Sequence, residues 1–229
     1  RMSNKSLGQT TQFQDKGIDV NKLKKRAIVF SISRPIQLKA MVPIYQKIVI
    51  KNKNKGYVLS DIPLMQHYLS DLSSEKFQLL DLFQFTLLSD RRKIFKSVAK
   101  DAKKWWKMKA RETSKERGLE SFLIKIDKRF LENQAKEIFP LAALYVENAD
   151  KMIKTIRPKT IVFFSEKNFT EKSLGQIAKI YNIETFLFFP SNNTDVQDIT
   201  GFNVADNILV TGDYMKKKIT NHGIDRKKI

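Results

Sequence analysis

Polar side chains that can exchange protons or hold an anion follow several apolar runs of this sequence. Ser33 and Arg34 stand at the end of AIVFSIS, and Ser165 and Glu166 stand at the end of TIVFFS. A third group follows TFLFF and consists of Ser191, Asn192, Asn193 and Asp195. Carboxylates can accept protons, hydroxyls and amides can orient a polar ligand, and arginine can pair with phosphate. These residues are therefore the candidates for chemistry.

The elements expected to position these groups are strands of a parallel sheet. The apolar runs have strand length and are largely continuous in hydrophobicity, as in strands buried on both faces. Helical patterns separate them, and Asn168 and Glu171 have the three-residue spacing of a helix-start pair. The predicted strands are Ala27–Ser33, Gly56–Ser60, Thr160–Ser165, Thr185–Phe189 and Asn207–Thr211. The pattern predicts an α/β, Rossmann-like, doubly wound parallel sheet, whose ligands bind beyond the carboxyl ends of the strands.

The rest of the chain is assigned by its polarity and helical periodicity. Residues 1–26 are polar and are interpreted as a leader, followed by one domain over residues 27–229. Within it, residues 64–156 have the apolar spacing of almost continuous helix. We expect a helical insertion at about residues 64–120.

Composition excludes several kinds of site. Cysteine is absent and the histidines are His67 and His222, so thiol chemistry and histidine-rich metal centres are not expected. Neither GxGxxG after the first strand nor GxxxxGK[ST] occurs, so no nucleotide-binding motif, metal or cofactor is predicted. No apolar run has the length of a membrane span. These features favour a cytoplasmic protein.

A strongly basic segment lies in the expected insertion. The chain carries a formal net charge of +19, and Arg91–Arg117 contains twelve Lys and Arg but three Asp and Glu. One interpretation is a helix docked at an anionic membrane surface, which makes the protein peripheral on the inner face of the membrane. The other is a solvated basic face whose tryptophans are buried. The interface residues of the first interpretation are Lys96, Lys103, Lys104, Trp105, Trp106 and Lys107.

The carboxyl-terminal third has a more specific pattern, ADNILVTGDYMKKKITNHGIDRKKI. It resembles the N-terminal domain of GT-B glycosyltransferases that build surface polysaccharides, and less closely the sugar-nucleotide 2-epimerases of similar architecture. The residues that carry the resemblance are Ala205, Asp206, Ile208, Val210, Gly212, Gly223, Ile224, Lys228 and Ile229. Many relatives have a His-Gly pair after the strand that corresponds to Thr185–Phe189, whereas this chain has Pro190 and Ser191. Histidine-based catalysis is therefore not expected there.

The resemblance implies a transferase half that binds a saccharide or lipid-linked acceptor. The nucleotide-sugar donor would bind a C-terminal domain beyond Ile229, so this half alone should be inactive. Glu166 is the first candidate for the base that deprotonates the acceptor, and Asp195 is the second. Two alternatives remain open: half of a sugar-nucleotide epimerase, and a basic module that binds nucleic acid or another protein without catalysis. Nucleic acid is the less favoured partner, because no recognition motif accompanies the charge.

Overall fold

The part of the chain that the structure describes contains a parallel sheet of six strands, in the spatial order β3 (Leu79–Asp81), β2 (Gly56–Ser60), β1 (Ile28–Ser31), β4 (Thr160–Phe163), β5 (Glu184–Phe189) and β6 (Asn207–Val210). The computed structural model describes residue 23 and residues 25–61, 77–113, 133–165, 168–189 and 205–229. All five strand pairs are parallel, and β1 lies between β2 and β4. This order is that of a doubly wound Rossmann-like fold, in which the strand order reverses between β1 and β4. The predicted fold class is confirmed.

The elements begin and end close to the positions that the sequence indicates. The strands are β1 (Ile28–Ser31), β2 (Gly56–Ser60), β3 (Leu79–Asp81), β4 (Thr160–Phe163), β5 (Glu184–Phe189) and β6 (Asn207–Val210). The helices are α1 (Pro35–Tyr45), α2 (Leu88–Thr113), α3 (Phe139–Ile156), α4 (Phe169–Ile180) and α5 (Gly212–Asn221). Short helical turns lie at Gln46–Lys51, Leu82–Phe85, Gln134–Ile138 and Arg226–Lys228. No helix among the described residues is long and apolar enough to cross a membrane.

One face of the sheet forms its core with α1. Phe30 of β1 is fully buried and contacts the ring of Tyr45 at a centroid distance of 5.3 Å. Val58 of β2 and Val162 of β4 pair with Phe30, and residues paired in register point to the same face of the sheet. The buried cluster there consists of Phe30, Ile32, Leu38, Met41, Tyr45, Val49, Val58, Val162 and Phe164. The continuous apolar runs predict this arrangement correctly.

One part of the secondary-structure prediction is wrong. Residues 79–81 form the edge strand β3, inside the interval expected to be almost continuous helix. Its residues pair with Val58, Leu59 and Ser60 of β2. Three residues carry too little periodicity to distinguish a strand from a helical turn, so the pairing with β2 decides the structure.

The residues that carry the resemblance mainly stabilise the end of the fold. Asp206 Oδ2 accepts hydrogen bonds from the backbone N–H of Thr185 (2.9 Å) and from its hydroxyl (2.7 Å), which joins the start of β5 to β6. Gly223 follows α5 with φ +89°, a conformation that glycine adopts without strain. Lys228 Nζ donates to the carbonyl of Ala205 at 3.4 Å. The pattern therefore identifies packing and turns, not reactive groups.

The chain divides into two compact units. One contains Arg1–Phe85 and Asn148–Ile229, and the other contains Thr86–Glu147. The sheet and its helices α1, α4 and α5 belong to the first unit, and α2 belongs to the second. The predicted leader lies, except for residues 23, 25 and 26, outside the described residues.

Candidate functional site at the strand switch point

Gln37 connects the loops that follow β1 and β4. Its Oε1 accepts hydrogen bonds from the backbone N–H groups of Ser33 (2.7 Å) and Arg34 (3.1 Å). Its Nε2 donates to the carbonyl oxygen of Phe164 at 3.2 Å. Gln37 and Ser33 are both buried. The carboxyl ends of these two strands are thus fixed to each other at the point where the strand order reverses.

Asn168 links the start of α4 to the same place. Its Nδ2 donates to the Ser33 hydroxyl oxygen at 2.6 Å, although the two residues are 135 positions apart. Asn168 has the extended backbone of a helix-capping residue, but its side chain makes no capping hydrogen bond. The helix begins where this residue pair predicts, but the Asn168 side chain donates to Ser33 in the loop after β1 and does not cap α4.

The end of β2 reaches the cluster through Asp61. The hydroxyl of Thr170 donates to Asp61 Oδ2 at 2.7 Å. Thr170 is buried in the first turn of α4, and Asp61 directly follows β2. Three strand ends and one helix start therefore meet here. We call Ser33, Gln37, Asp61, Asn168, Thr170 and Glu171 the switch-point cluster.

Glu171 is the most unusual member of the switch-point cluster. It has no exposed surface, and among the described residues neither carboxyl oxygen has a hydrogen-bond partner of good geometry. Burial raises its pKa to about 7, with a smaller rise from the charge of Asp61, while the side chains of Ser33 and Asn168 partly oppose it. A carboxyl group with such a pKa can both accept and release a proton at neutral pH.

The residues predicted to carry chemistry are partly visible. Ser33 is buried within the cluster, Arg34 is exposed beside it, and Ser165 is partly buried after β4. The predicted bases Glu166 and Asp195 lie outside the described residues, as do Ser191, Asn192 and Asn193. Their roles stay predictions.

The predicted interface residues lie on α2. Trp105 is 48% exposed, whereas Trp106 is buried, with 7% of its surface exposed. The side chains of Lys96, Lys103, Lys104 and Lys107 are exposed.

The sequence pattern predicts Glu171 only as a residue in the first turn of a helix. A signal for its burial was present, because Glu171, Leu174 and Ala178 have the spacing of one helix face, and both apolar residues are fully buried. A carboxylate on the apolar face of an amphipathic helix is a candidate for an altered pKa. The contacts of Gln37 with Phe164 and of Asn168 with Ser33 leave no such signal, since each joins residues that are distant in sequence.

Comparison with known proteins adds little to this geometry. No protein-family model matches the chain, and no curated protein matches it. Among solved structures, it is similar to a crystal structure of UDP-N-acetylglucosamine 2-epimerase, with a TM-score of 0.49 and 10% identity. The match covers 90% of this chain and 46% of the other, so the chain spans less than half the length of that protein. The sheet itself defines the class: a Rossmann-like α/β fold.

Proposed function

We propose that this chain supplies the acceptor-binding half of a GT-B-like glycosyltransferase, which moves a sugar from a nucleotide sugar to a polysaccharide or lipid-linked acceptor. The observation that carries the proposal is the switch-point cluster. It lies beyond the carboxyl ends of β1, β2 and β4, where open parallel sheets bind their ligands. The resemblance of the final 25 residues to such domains supports the same assignment.

The chemistry of transfer needs a proton acceptor on this side of the cleft. The acceptor hydroxyl oxygen bonds to the anomeric carbon while the bond from that carbon to the nucleotide's phosphate oxygen breaks. The phosphate group leaves with the electron pair, and the hydroxyl proton must go to a base. Glu171 has a suitable pKa, and because it is fully buried, the proton would reach it through the Ser33 hydroxyl. Glu171 would thus act through Ser33 and would not touch the acceptor.

Transfer also needs groups that bind the acceptor phosphate and the nucleotide-sugar donor. Arg34 is exposed and directly follows Ser33, so its guanidinium can pair with the phosphate of a lipid-linked acceptor. The nucleotide sugar would be held by a further domain. In this scheme Glu166 competes with Glu171 for the role of base, because it too follows β4.

An assay with radiolabelled nucleotide sugars tests the proposal on the full-length protein. A panel of such donors is incubated with polyprenyl phosphate or oligosaccharide acceptors, and the label is followed by chromatography. We expect label in the acceptor together with release of the nucleotide. An isomeric nucleotide sugar formed without acceptor would assign the epimerase alternative instead. No turnover, combined with no saccharide-induced NMR shifts at Ser33 or Asn168, would overturn both.

The role of the base is tested separately by two variants. Glu171→Gln should lower kcat by 100-fold or more, a typical loss when general base catalysis is removed, and should abolish the rise of kcat near pH 7. Glu166→Gln, five residues earlier in the sequence, is the matched control. A large loss with Glu166→Gln and an unchanged pH profile with Glu171→Gln would assign the base to Glu166 and leave Glu171 a structural group.

A further inference from the structure

The exposed side of α2 carries an uninterrupted arc of positive charge. At about 100° per residue, seven basic side chains fall within about 120° of the helix circumference. They are Arg92, Lys93, Lys96, Lys100, Lys103, Lys104 and Lys107, and all are exposed. Within the described part of the chain their one ion pair joins Lys93 to Asp90 at 3.6 Å, at the helix start. We call these seven residues the basic arc.

The opposite side of α2 is used for packing. Ala102 and Trp106 are buried there, and Ile94, Phe95 and Val98 are partly buried. Most of the apolar face is therefore already covered within the protein. An amphipathic helix that inserts this face into lipid is not compatible with the arrangement, so any binding by α2 must use the basic arc and the residues that flank it.

Two exposed apolar side chains lie beyond one edge of the basic arc, Met108 about 40° and Trp105 about 100° around the helix from Lys104. Trp105 and Met108 are each 48% exposed, although both are large and apolar. Phe139, at the start of α3, is 43% exposed and contacts the Trp105 ring edge-on at a centroid distance of 6.5 Å. Trp105 and Phe139 therefore lie nearer to the packed face of α2 than to the basic arc, and Met108 is the exposed apolar side chain next to the lysines.

We propose that the basic arc, with Met108 at its border, adsorbs to an anionic lipid bilayer. The arc extends about 22 Å along one straight helix, from Arg92 to Lys107. A flat field of negative charge meets all seven cations at once, whereas the phosphates of a nucleic acid duplex follow two curved strands. Six of the seven are lysines, which act as hydrated point charges and lack the planar fork of arginine for paired phosphate contacts. This inference does not depend on the proposed transferase activity.

Sedimentation of the whole chain with sucrose-loaded vesicles tests the proposal. Vesicles of phosphatidylcholine with 30% phosphatidylglycerol should retain the protein at 100 mM NaCl, and pure phosphatidylcholine should not. Each cation lost from the arc should weaken partitioning by about fivefold. The double variant Lys96→Gln/Lys103→Gln should therefore weaken it by more than tenfold. Lys39→Gln/Lys179→Gln removes the same charge from exposed positions in the other unit and should have little effect.

Three results would overturn the proposal. The first is failure to bind anionic vesicles, and the second is an equal loss in both double variants, which indicates attraction by net charge alone. The third is that a 20-base-pair duplex binds more tightly than the vesicles at 150 mM NaCl and displaces them from the protein. If the arc variant loses this duplex binding, the arc is assigned to nucleic acid. Circular dichroism melts of each variant, and Lys100→Gln/Lys107→Gln as a second arc variant, separate lost binding from misfolding.

Discussion

Glu171 couples folding to pH in an uncommon direction for a carboxylate. Its folded pKa of about 7 lies above the ordinary value of 4.5, so the folded protein binds more protons between these pH values than the unfolded chain. The free energy of unfolding therefore falls as pH rises through this window and levels off above pH 7. Glu171 thus destabilises the fold in its charged form, which is the expected consequence of burying a carboxylate without hydrogen-bond partners of good geometry among the described residues.

We predict that Glu171→Gln removes this pH dependence. From pH 5 to pH 8 the free energy of unfolding of the unmodified protein should fall by roughly 2–3 kcal/mol through Glu171. The variant should not show this fall, because its glutamine does not titrate. Urea unfolding at both pH values measures the difference. Glu137→Gln, at an exposed position of the other unit, serves as the control. An equal pH dependence in Glu171→Gln and the unmodified protein would show that Glu171 is ionised in the fold.

Asp206 illustrates a residue whose recognisable pattern has a structural role. We predict that Asp206→Ala lowers the free energy of unfolding by about 1–3 kcal/mol, because the N–H and hydroxyl of Thr185 lose their shared acceptor. Chemical denaturation at pH 7 measures the loss. Asp101→Ala removes an exposed carboxylate from α2 and should change stability by less than about 0.5 kcal/mol. Equal effects of the two substitutions would contradict the role assigned to Asp206.

At the scale of elements, β2 and the turn after α1 require glycine at position 56. A Cβ atom placed there would lie 2.5 Å from Val49 Cγ2 and 3.1 Å from the Tyr45 ring. We predict that Gly56→Ala destabilises the protein by about 1–3 kcal/mol through overpacking. Urea denaturation of Gly56→Ala, of Val49→Ala and of the double variant measures the coupling between the two positions. The same substitution in a Val49→Ala background should cost less, and strictly additive effects would show that the close approach to Val49 is not the cause.

The sequence predicts elements better than it predicts their contacts. The sequence predicts both ends of five strands to within one or two residues of their observed positions, because continuous apolar runs bounded by polar turns are local signals. The sequence does not predict the edge strand β3, because its three residues form a strand only through their pairing with β2. The sequence predicts only the position of the switch-point cluster, because two contacts that join it, Gln37 with Phe164 and Asn168 with Ser33, connect residues more than 120 positions apart. Such contacts leave no periodicity in one sequence.

For the whole molecule, the formal charge of +19 opposes compaction. The basic arc concentrates this repulsion, because Lys96, Lys100 and Lys104 succeed one another four residues apart, a spacing at which like charges destabilise a helix. Salt shortens the range of these interactions, from a Debye length of about 30 Å at 10 mM to about 8 Å at 150 mM. Added salt should consequently stabilise the folded protein.

We predict that raising NaCl from 10 to 150 mM at pH 7 increases the thermal midpoint by a few degrees, because the free energy gained by screening repulsion is on the order of 1 kcal/mol. Differential scanning calorimetry measures the midpoint. Lys100→Gln/Lys103→Gln should show a smaller increase, since part of the repulsion is already absent, and Lys39→Gln/Lys179→Gln should retain most of it. Sucrose at equal osmolality separates screening from general solvent effects. A midpoint that falls with salt would mean that attractive ion pairs outweigh repulsion at neutral pH.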